Sequence, residues 1–287
     1  MKGAQLSFII YSYDKISHEF PENYYLEGHT EDLVDYQYCL AHRFLSNDAY
    51  REYFYRYKHQ GGEIYLDNSL YELGEAFDRH MYQKIIHDLE PNYYFLPDVF
   101  NQTVDNIESQ LSFLRDISPS TPSEISKPIA ICHGMTPKDI ISSFRILNSA
   151  LPDYAMIAIP FGSHAWLNEE DDPKYLRKSK CEDDNARMAA NRGIFLNRYY
   201  KTLKKRNIHL LGCKGLREIP FINCLESTDF IRSIDTSLPV ASALEGNEIK
   251  MDYKPKFLID KNFDMPVRDI DLVRKNVEDF RRQVLTK

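Results

Sequence analysis

Three aspartates in this chain each stand at the end of a short apolar run with the composition of a buried strand. Asp67 follows Ile64-Tyr65-Leu66, Asp98 closes the run 93–98, and Asp235 closes the run 230–235. Where parallel strands alternate with helices, the strand ends open on one rim, so these carboxylates are expected to meet there. One strand-end aspartate is usually a turn former, but three of them favour a functional site.

Histidines at two further strand ends, His42 and His133, leave a second chemistry open. Aspartate and histidine are also the ligands that a metal-dependent hydrolase uses. Position along the strands does not choose between a metal site and metal-free acid chemistry.

Eight short apolar runs alternate with longer segments of helical spacing, which is the pattern of repeated βα units. The predicted strands are residues 6–12, 35–42, 63–67, 93–98, 128–134, 154–162, 208–213 and 230–235. The predicted helices are residues 48–59, 70–88, 103–115, 137–147, 183–206 and 215–225, with a last one within 266–284. Thr136 is a good N-cap because Pro137 and Asp139 follow it. We therefore predict a single (β/α)8 TIM-type barrel over residues 1–287.

The composition is that of a soluble globular protein, with 287 residues, 43% hydrophobic and 28% charged. A net charge of −7 does not mark the whole chain as a nucleic-acid binder, although a local basic patch could serve. The five cysteines form no CxxC pair, which predicts neither a disulfide framework nor a zinc knuckle and favours a reducing compartment. No signal peptide or membrane span is predicted, so we expect a cytoplasmic protein.

The sequence around Asp235 resembles a known enzyme family. The segment Asp235-Thr236-Ser237-Leu238-Pro239 lies downstream of a predicted strand that ends in Leu-Leu-Gly. In the tRNA-guanine transglycosylase family, the nucleophilic aspartate stands in an Asp-x-x-Leu-Pro context after a strand of Tyr-Leu-Met-Gly type.

Earlier segments resemble the same family in the same order, over residues 36–240. The segment 39–45, CLAHRFL, is similar to a Leu-Ala-Asn-Thr-Tyr-His-Leu strand, and 66–72, LDNSLYE, occupies the place of an Asp-Ser-Gly-Gly-Phe-Gln motif. Asp98 falls where the family has a base-reading aspartate, and residues 132–134, CHG, fall where it has Val-Gln-Gly. Residues 157–160 stand near the backbone segment that contacts the base.

The departures from the family are also informative. The Cys-x-Cys-x-x-Cys zinc motif is missing, both glycines of the Asp-Ser-Gly-Gly-Phe loop are lost, and His133 stands in place of a base-reading glutamine. The pattern looks closest to the shorter, zinc-less phage-type relatives, which insert 7-deazaguanines into DNA. The resemblance therefore implies a barrel without the zinc-binding subdomain.

The resemblance also implies roles for individual residues. Asp235 would attack C1′ of the nucleoside and Asp67 would move protons to and from the exchanging bases, a use of paired carboxylates known from retaining glycosidases. Asp98 would accept hydrogen bonds from the base. Further base contacts are expected from a set of residues near these acids: Asn68, His133, Gly134 and the backbone of Ile159 and Pro160.

The expected partners are DNA, or alternatively tRNA, and a 7-deazaguanine base, with no cofactor and no membrane. Phosphate contacts are predicted from the basic run 174–180, through Lys174, Arg177, Lys178 and Lys180. The acids of 169–172 beside this run oppose such binding. A second basic run, 198–206, is as consistent with a solvated helix face as with phosphate binding.

Three alternatives stay open at this point. The enzyme could act on tRNA in place of DNA, the chain could be a metal-dependent hydrolase using His133 and Asp235, or it could be a binding protein without catalysis. The choice of 7-deazaguanine and the oligomeric state are not determined by these residues.

Overall fold

The computed structural model describes residues 5–8 (backbone), 35–117, 125–167, 184–213, 216, 218–225, 227–250 and 269–285. Its strands are β1 Gln5–Phe8, β2 Gln37–Leu40, β3 Ile64–Asp67, β4 Tyr93–Phe95, β5 Lys127–Ile131, β6 Met156–Pro160, β7 Ile208–Leu211 and β8 Ile231–Thr236. Its helices are α1 Ala41–Ser46, α2 Asp48–His59, α3 Leu70–Leu73, α4 Arg79–Leu89, α5 Thr103–Ile117, α6 Pro137–Ala150, α7 Asp184–Leu203, α8 Ile219–Asn223, α9 Leu238–Leu244 and α10 Ile270–Leu285.

The strands form one curled parallel sheet in the order β1-β8-β7-β6-β5-β4-β3-β2. All eight predicted strands are present, and the α/β class is confirmed. The closed barrel is not what the described residues show, because β1 and β2 are the two edges and no ladder joins them there. The four residues of β1 pair with β8 alone, in the register Gln5↔Ser233 to Phe8↔Thr236.

Alternation along the strands separates two cores, as the two-residue period of a strand requires. Residues facing the helices form the larger core, which includes Cys39, Leu66 and Leu210. Residues facing the concave side of the sheet form a second, aromatic-rich core, comprising Tyr36, Tyr38, Leu40, Tyr65, Phe95, Ile129, Ile131, Met156 and Ala158. These side chains therefore fill the centre of the concave side.

Several elements end earlier than predicted. The strand predicted for 35–42 stops at Leu40, because Ala41–Ser46 form α1, so His42 lies on a helix. The helix predicted for 70–88 divides into α3 and α4 at Gly74, whose φ of 82° is the left-handed conformation that glycine adopts most easily. Glycine here ends α3 and lets the chain turn back towards α4.

The N-terminus of α6 forms as predicted. Thr136 accepts a hydrogen bond from the Asp139 amide while the Asp139 carboxylate accepts one from the Thr136 amide, a reciprocal capping box with Pro137 in the first turn. Gly134 packs directly under this turn, since a Cβ at Gly134 would lie 2.3 Å from Cβ of Asp139. This close approach requires glycine for packing.

Among the helices in the described part of the chain, none combines the length and the apolar content needed to cross a bilayer.

Candidate active site at the strand ends

A cavity of about 380 Å³ opens at the carboxyl ends of the strands. This volume is within the range of small-molecule sites, about 300–1,000 Å³. Its lining includes Asp67 at the end of β3, Asp98 after β4 and Asp235 in β8. Asn68 and His133 also line it, so five of the predicted site residues share one cavity. The remaining lining residues are Tyr38, Leu40, Leu70, Tyr71, Glu72, Phe100, Ile131, Phe161, Gly162, Met188, Leu211, Gly212, Cys213, Thr236 and Ser237.

Asp235 is fully buried and held through one of its two carboxylate oxygens. Its Oδ1 accepts a hydrogen bond from the Gly212 amide at 2.9 Å and lies 3.0 Å from His209 Nε2. Its Oδ2 accepts no hydrogen bond from the described residues. A carboxylate fixed on one side with the other oxygen unpartnered is suited to act as a nucleophile.

Asp67 is held through both oxygens. Oδ2 accepts a hydrogen bond from the Tyr38 hydroxyl at 2.7 Å, and Oδ1 accepts one from the Ser69 amide at 2.6 Å. Burial and, after it, the Glu72 carboxylate raise the pKa of Asp67 to about 8, against the opposing effect of the hydrogen bonds from Tyr38 and Ser69. Asp67 is therefore a protonated acid at neutral pH, which is the state that a general acid requires.

The phenol of Tyr38 interacts electrostatically with both Asp67 and Asp235. Burial raises the pKa of its phenol well above the usual range, and the nearby charges of Asp67 and then Asp235 raise it further. Tyr38 consequently keeps its proton and stays a hydrogen-bond donor to Asp67.

Asp98, Asn68 and His133 form a buried polar cluster on the same wall. The Asn68 amide donates to Asp98 Oδ1 at 2.9 Å and to the Leu96 carbonyl at 2.9 Å. His133 Nε2 lies 2.6 Å from Asp98 Oδ2, and the ring meets Phe100 edge-on with centroids 5.4 Å apart. His133 Nδ1 is buried and has no hydrogen-bond partner among the described residues, so this wall has one polar atom to spare for a ligand.

Other predicted site residues lie elsewhere. Gly134, Ile159 and Pro160 do not line the cavity. The Ile159 carbonyl accepts from Arg192 at 2.9 Å and the Pro160 carbonyl accepts from the indole of Trp166 at 2.9 Å. The cavity lining includes Phe161 and Gly162, which follow β6, so a base contact from residues 159 and 160 stays a prediction.

The predicted phosphate contacts, Lys174, Arg177, Lys178 and Lys180, lie outside the described residues. In the second basic run, Arg206 is buried and donates to Asn148 Oδ1 at 3.0 Å and to its carbonyl at 2.8 Å. Arg206 thus anchors the end of α6, which is a structural role.

Within the described ranges, no three His, Cys, Asp or Glu side chains are arranged to hold a metal ion. His133 pairs with Asp98 and His209 pairs with Asp235. The metal-hydrolase alternative stays a hypothesis.

His209 and Tyr38 were not predicted as site residues, although both partner the two central acids. The available signal was the two-residue period of β2, β7 and β8, which puts Tyr38, His209, Ser233 and Asp235 on the concave face. The sequence does not show which face of each strand is concave, so this period alone does not identify Tyr38 and His209 as site residues.

No protein-family model matches this chain, and a search of curated proteins finds no similar sequence. Its function therefore has to be inferred from the residues and from the geometry of the site.

Proposed function

We propose that this protein is a transglycosylase that exchanges guanine in a nucleic acid for a 7-deazaguanine, with Asp235 as nucleophile and Asp67 as acid and base. The observation that carries the proposal is the pairing of two unlike carboxylates in one cavity. Asp67 has a pKa raised to about 8 and is protonated, while Oδ2 of Asp235 has no partner in the described part of the chain. Two carboxyls held in different environments are what acid-assisted cleavage of a glycosidic bond needs.

In the first step, Asp235 Oδ2 attacks C1′ and forms an ester as the C1′–N9 bond breaks. The bonding electrons leave with guanine, which takes the proton of Asp67. Protonation in the transition state typically contributes about 10²–10⁴-fold to such a step. Asp67 is then a carboxylate.

In the second step, that carboxylate takes the N9 proton of the incoming 7-deazaguanine. The freed N9 electron pair attacks C1′ and breaks the ester, so Asp235 returns to its carboxylate form. The cycle restores both acids and needs no cofactor.

Base recognition falls to Asp98, Asn68 and His133. Each oxygen of Asp98 already has one protein partner, and a carboxylate oxygen can accept a second hydrogen bond. Asp98 can therefore accept from N1–H and the exocyclic amine of a guanine-type base, while His133 Nδ1 offers one more contact.

The DNA preference and a fold without a zinc-binding subdomain belong to this proposal through the resemblance to phage-type transglycosylases. A base must leave its stack to enter a cavity at the strand ends, which costs a few kcal/mol and favours single-stranded or flipped nucleotides. We accordingly expect faster exchange on single-stranded than on duplex DNA.

The test is incubation of the full chain with guanine-containing single-stranded DNA or with tRNA, together with a labelled 7-deazaguanine. We expect label to enter DNA, and a protein–DNA adduct to survive on denaturing gels. Asp235→Ala should abolish both while the protein stays folded. Asp153→Ala is the matched control, because Asp153 is exposed and precedes β6 at the opposite end of the sheet.

Each other outcome has a distinct meaning. Full exchange by the Asp235→Ala variant would refute the nucleophile assignment. Label that enters only tRNA would make the substrate RNA. Nucleic-acid binding with neither base release nor adduct would identify a binding protein, and activity that chelators remove would favour the metal hydrolase.

A further inference from the structure

His209 is a fully buried histidine on β7 with a defined partner at each ring nitrogen. Nε2 lies 3.0 Å from Asp235 Oδ1, and Nδ1 lies 2.9 Å from Ser233 Oγ. Tyr65 and Phe95 flank the ring, with centroids 6.0 and 5.2 Å away. The imidazole is therefore confined by packing as well as by hydrogen bonds.

The chemistry of these partners determines which nitrogen carries a proton. An ionised Asp235 can only accept, and its Oδ1 already accepts from Gly212, so Nε2 must be the donor. Ser233 Oγ can donate or accept and is therefore compatible with Nδ1 as an acceptor. The neutral Nε2–H form of His209 satisfies both contacts.

The position of His209 separates it from the residues that touch a ligand. It does not line the cavity, whereas Asp235 does. Two donors from β7 and the residue after it, His209 Nε2–H and Gly212 N–H, meet at the same oxygen of Asp235. This arrangement fixes the carboxylate plane and leaves Oδ2 as the oxygen without a partner among the described residues.

We infer that His209 is the positioning residue of Asp235: its Nε2–H holds Oδ1 so that Oδ2 is the attacking atom. The inference rests on the proposed transglycosylase function. It extends that function to a residue that neither motif nor resemblance singled out. Misplacement of a reacting group by about 1 Å costs about 100-fold in rate, so loss of this contact should be large.

Two polar substitutions separate the contacts of His209. In His209→Gln the side-chain amide reaches the position of Nε2 and can still donate to Asp235. In His209→Asn the shorter amide reaches only the position of Nδ1, near Ser233. Both variants keep a polar side chain at position 209, and they differ in whether that side chain can reach Asp235 or only Ser233. His59→Gln is the control, because His59 is exposed at the end of α2.

The measured quantities are the rate constant of adduct formation on single-stranded DNA and the dissociation constant for that DNA. We expect His209→Asn to lower the rate constant about 100-fold, with the dissociation constant within about twofold, and His209→Gln to stay within about tenfold of wild type. A rate constant unchanged in His209→Asn, or equal losses in both variants, would overturn the inference.

A second measurement does not depend on activity, and its main readout comes from the wild-type protein. In the wild-type protein with 15N-labelled histidine, the His209 signal should be that of the Nε2–H tautomer, and Asp235→Ala should shift it. An Nδ1–H tautomer would overturn the inference. A wild-type protein with the expected tautomer but no adduct would show that the transglycosylase function, and with it the positioning role, is wrong.

Discussion

The two central carboxylates differ because their immediate neighbours differ. Asp67 lies in a buried site near another acid, Glu72, and its pKa is raised to about 8. Asp235 has an amide N–H and an imidazole at Oδ1, and its Oδ2 has no hydrogen-bond partner among the described residues. In the proposed reaction, these neighbours fit Asp67 to the role of acid and Asp235 to the role of nucleophile.

A pH dependence follows from this assignment. The first step needs protonated Asp67, so the rate of adduct formation should be level below pH 8 and fall about tenfold per pH unit above it. Burial is the main cause of the raised pKa of Asp67, and the charges of Glu72 and Asp98 also raise this pKa. The hydrogen bonds from Tyr38 and Ser69 lower it. Discontinuous assays of adduct formation over pH 5–10, run on wild type and on Asp67→Asn, measure this pH dependence.

The Asp67→Asn variant serves as the control for that profile. It should lower the rate about 10²–10⁴-fold and lose the fall near pH 8. A wild-type rate that falls as Asp67 loses its proton near pH 4, its ordinary range, would contradict the raised pKa.

At the scale of elements, one buried ion pair organises the ends of β6 and β7. Arg192 on α7 and Glu218 before α8 are both fully buried and form a two-point contact, with Arg192 Nη2 2.7 Å from Glu218 Oε2. Arg192 also donates to the carbonyls of Ile159 at 2.9 Å and Leu211 at 3.0 Å. The latter carbonyl adjoins Gly212, whose amide holds Asp235.

We predict that Arg192→Met lowers the free energy of unfolding by about 3–5 kcal/mol, because it leaves the Glu218 charge buried without a partner. The double variant Arg192→Met, Glu218→Leu should recover much of that loss, since no charge then remains buried. Denaturant unfolding of the two singles and the double gives the coupling energy.

The pair Arg51–Asp48 on α2, in which Arg51 is half-buried and Asp48 is exposed, is the control for this cycle, with its nitrogen and oxygen 2.5 Å apart. Arg51→Met should cost less than about 1 kcal/mol. A cost as small in Arg192→Met would mean that the buried pair does not hold the strand ends.

At the scale of the whole molecule, the sheet curls around an aromatic interior. Tyr36, just before β2, stacks on Tyr65 with centroids 3.9 Å apart. Its hydroxyl donates to the Ile234 carbonyl of β8 at 3.1 Å, so a side chain bridges strands from opposite parts of the sheet order. This contact draws β2 and β8 together although no ladder joins the β1 and β2 edges in the described chain.

We expect Tyr36→Phe to lower the free energy of unfolding by about 1 kcal/mol, because the buried Ile234 carbonyl loses this donor while the ring stack remains. That corresponds to a melting temperature lower by about 2–4 °C, measured calorimetrically. Tyr154→Phe is the control, since Tyr154 is 42% exposed and should change nothing measurable. A Tyr36→Phe protein as stable as wild type would argue against the bridge.

Much of the fold could be predicted because its signals are local. Helix α2 begins and ends at the predicted residues, and the Thr136 cap forms as expected, since capping depends on residues three apart. Strand positions follow from apolar runs. The break at Gly74 and the early end of β2 were missed because they depend on competition between neighbouring elements.

The amino-acid sequence by itself determined the α/β class, the strand order along the chain and the acids at the strand ends. Only the tertiary structure decided which of these residues share a cavity, and it left Gly134, Ile159 and Pro160 out of its lining. It alone paired His209 with Asp235 and raised the pKa of Asp67. The reason is physical: apolar periodicity and helix capping act over a few residues. The contact between His209 and Asp235 joins residues 26 positions apart, so it depends on the register of the strands and on burial in the folded chain.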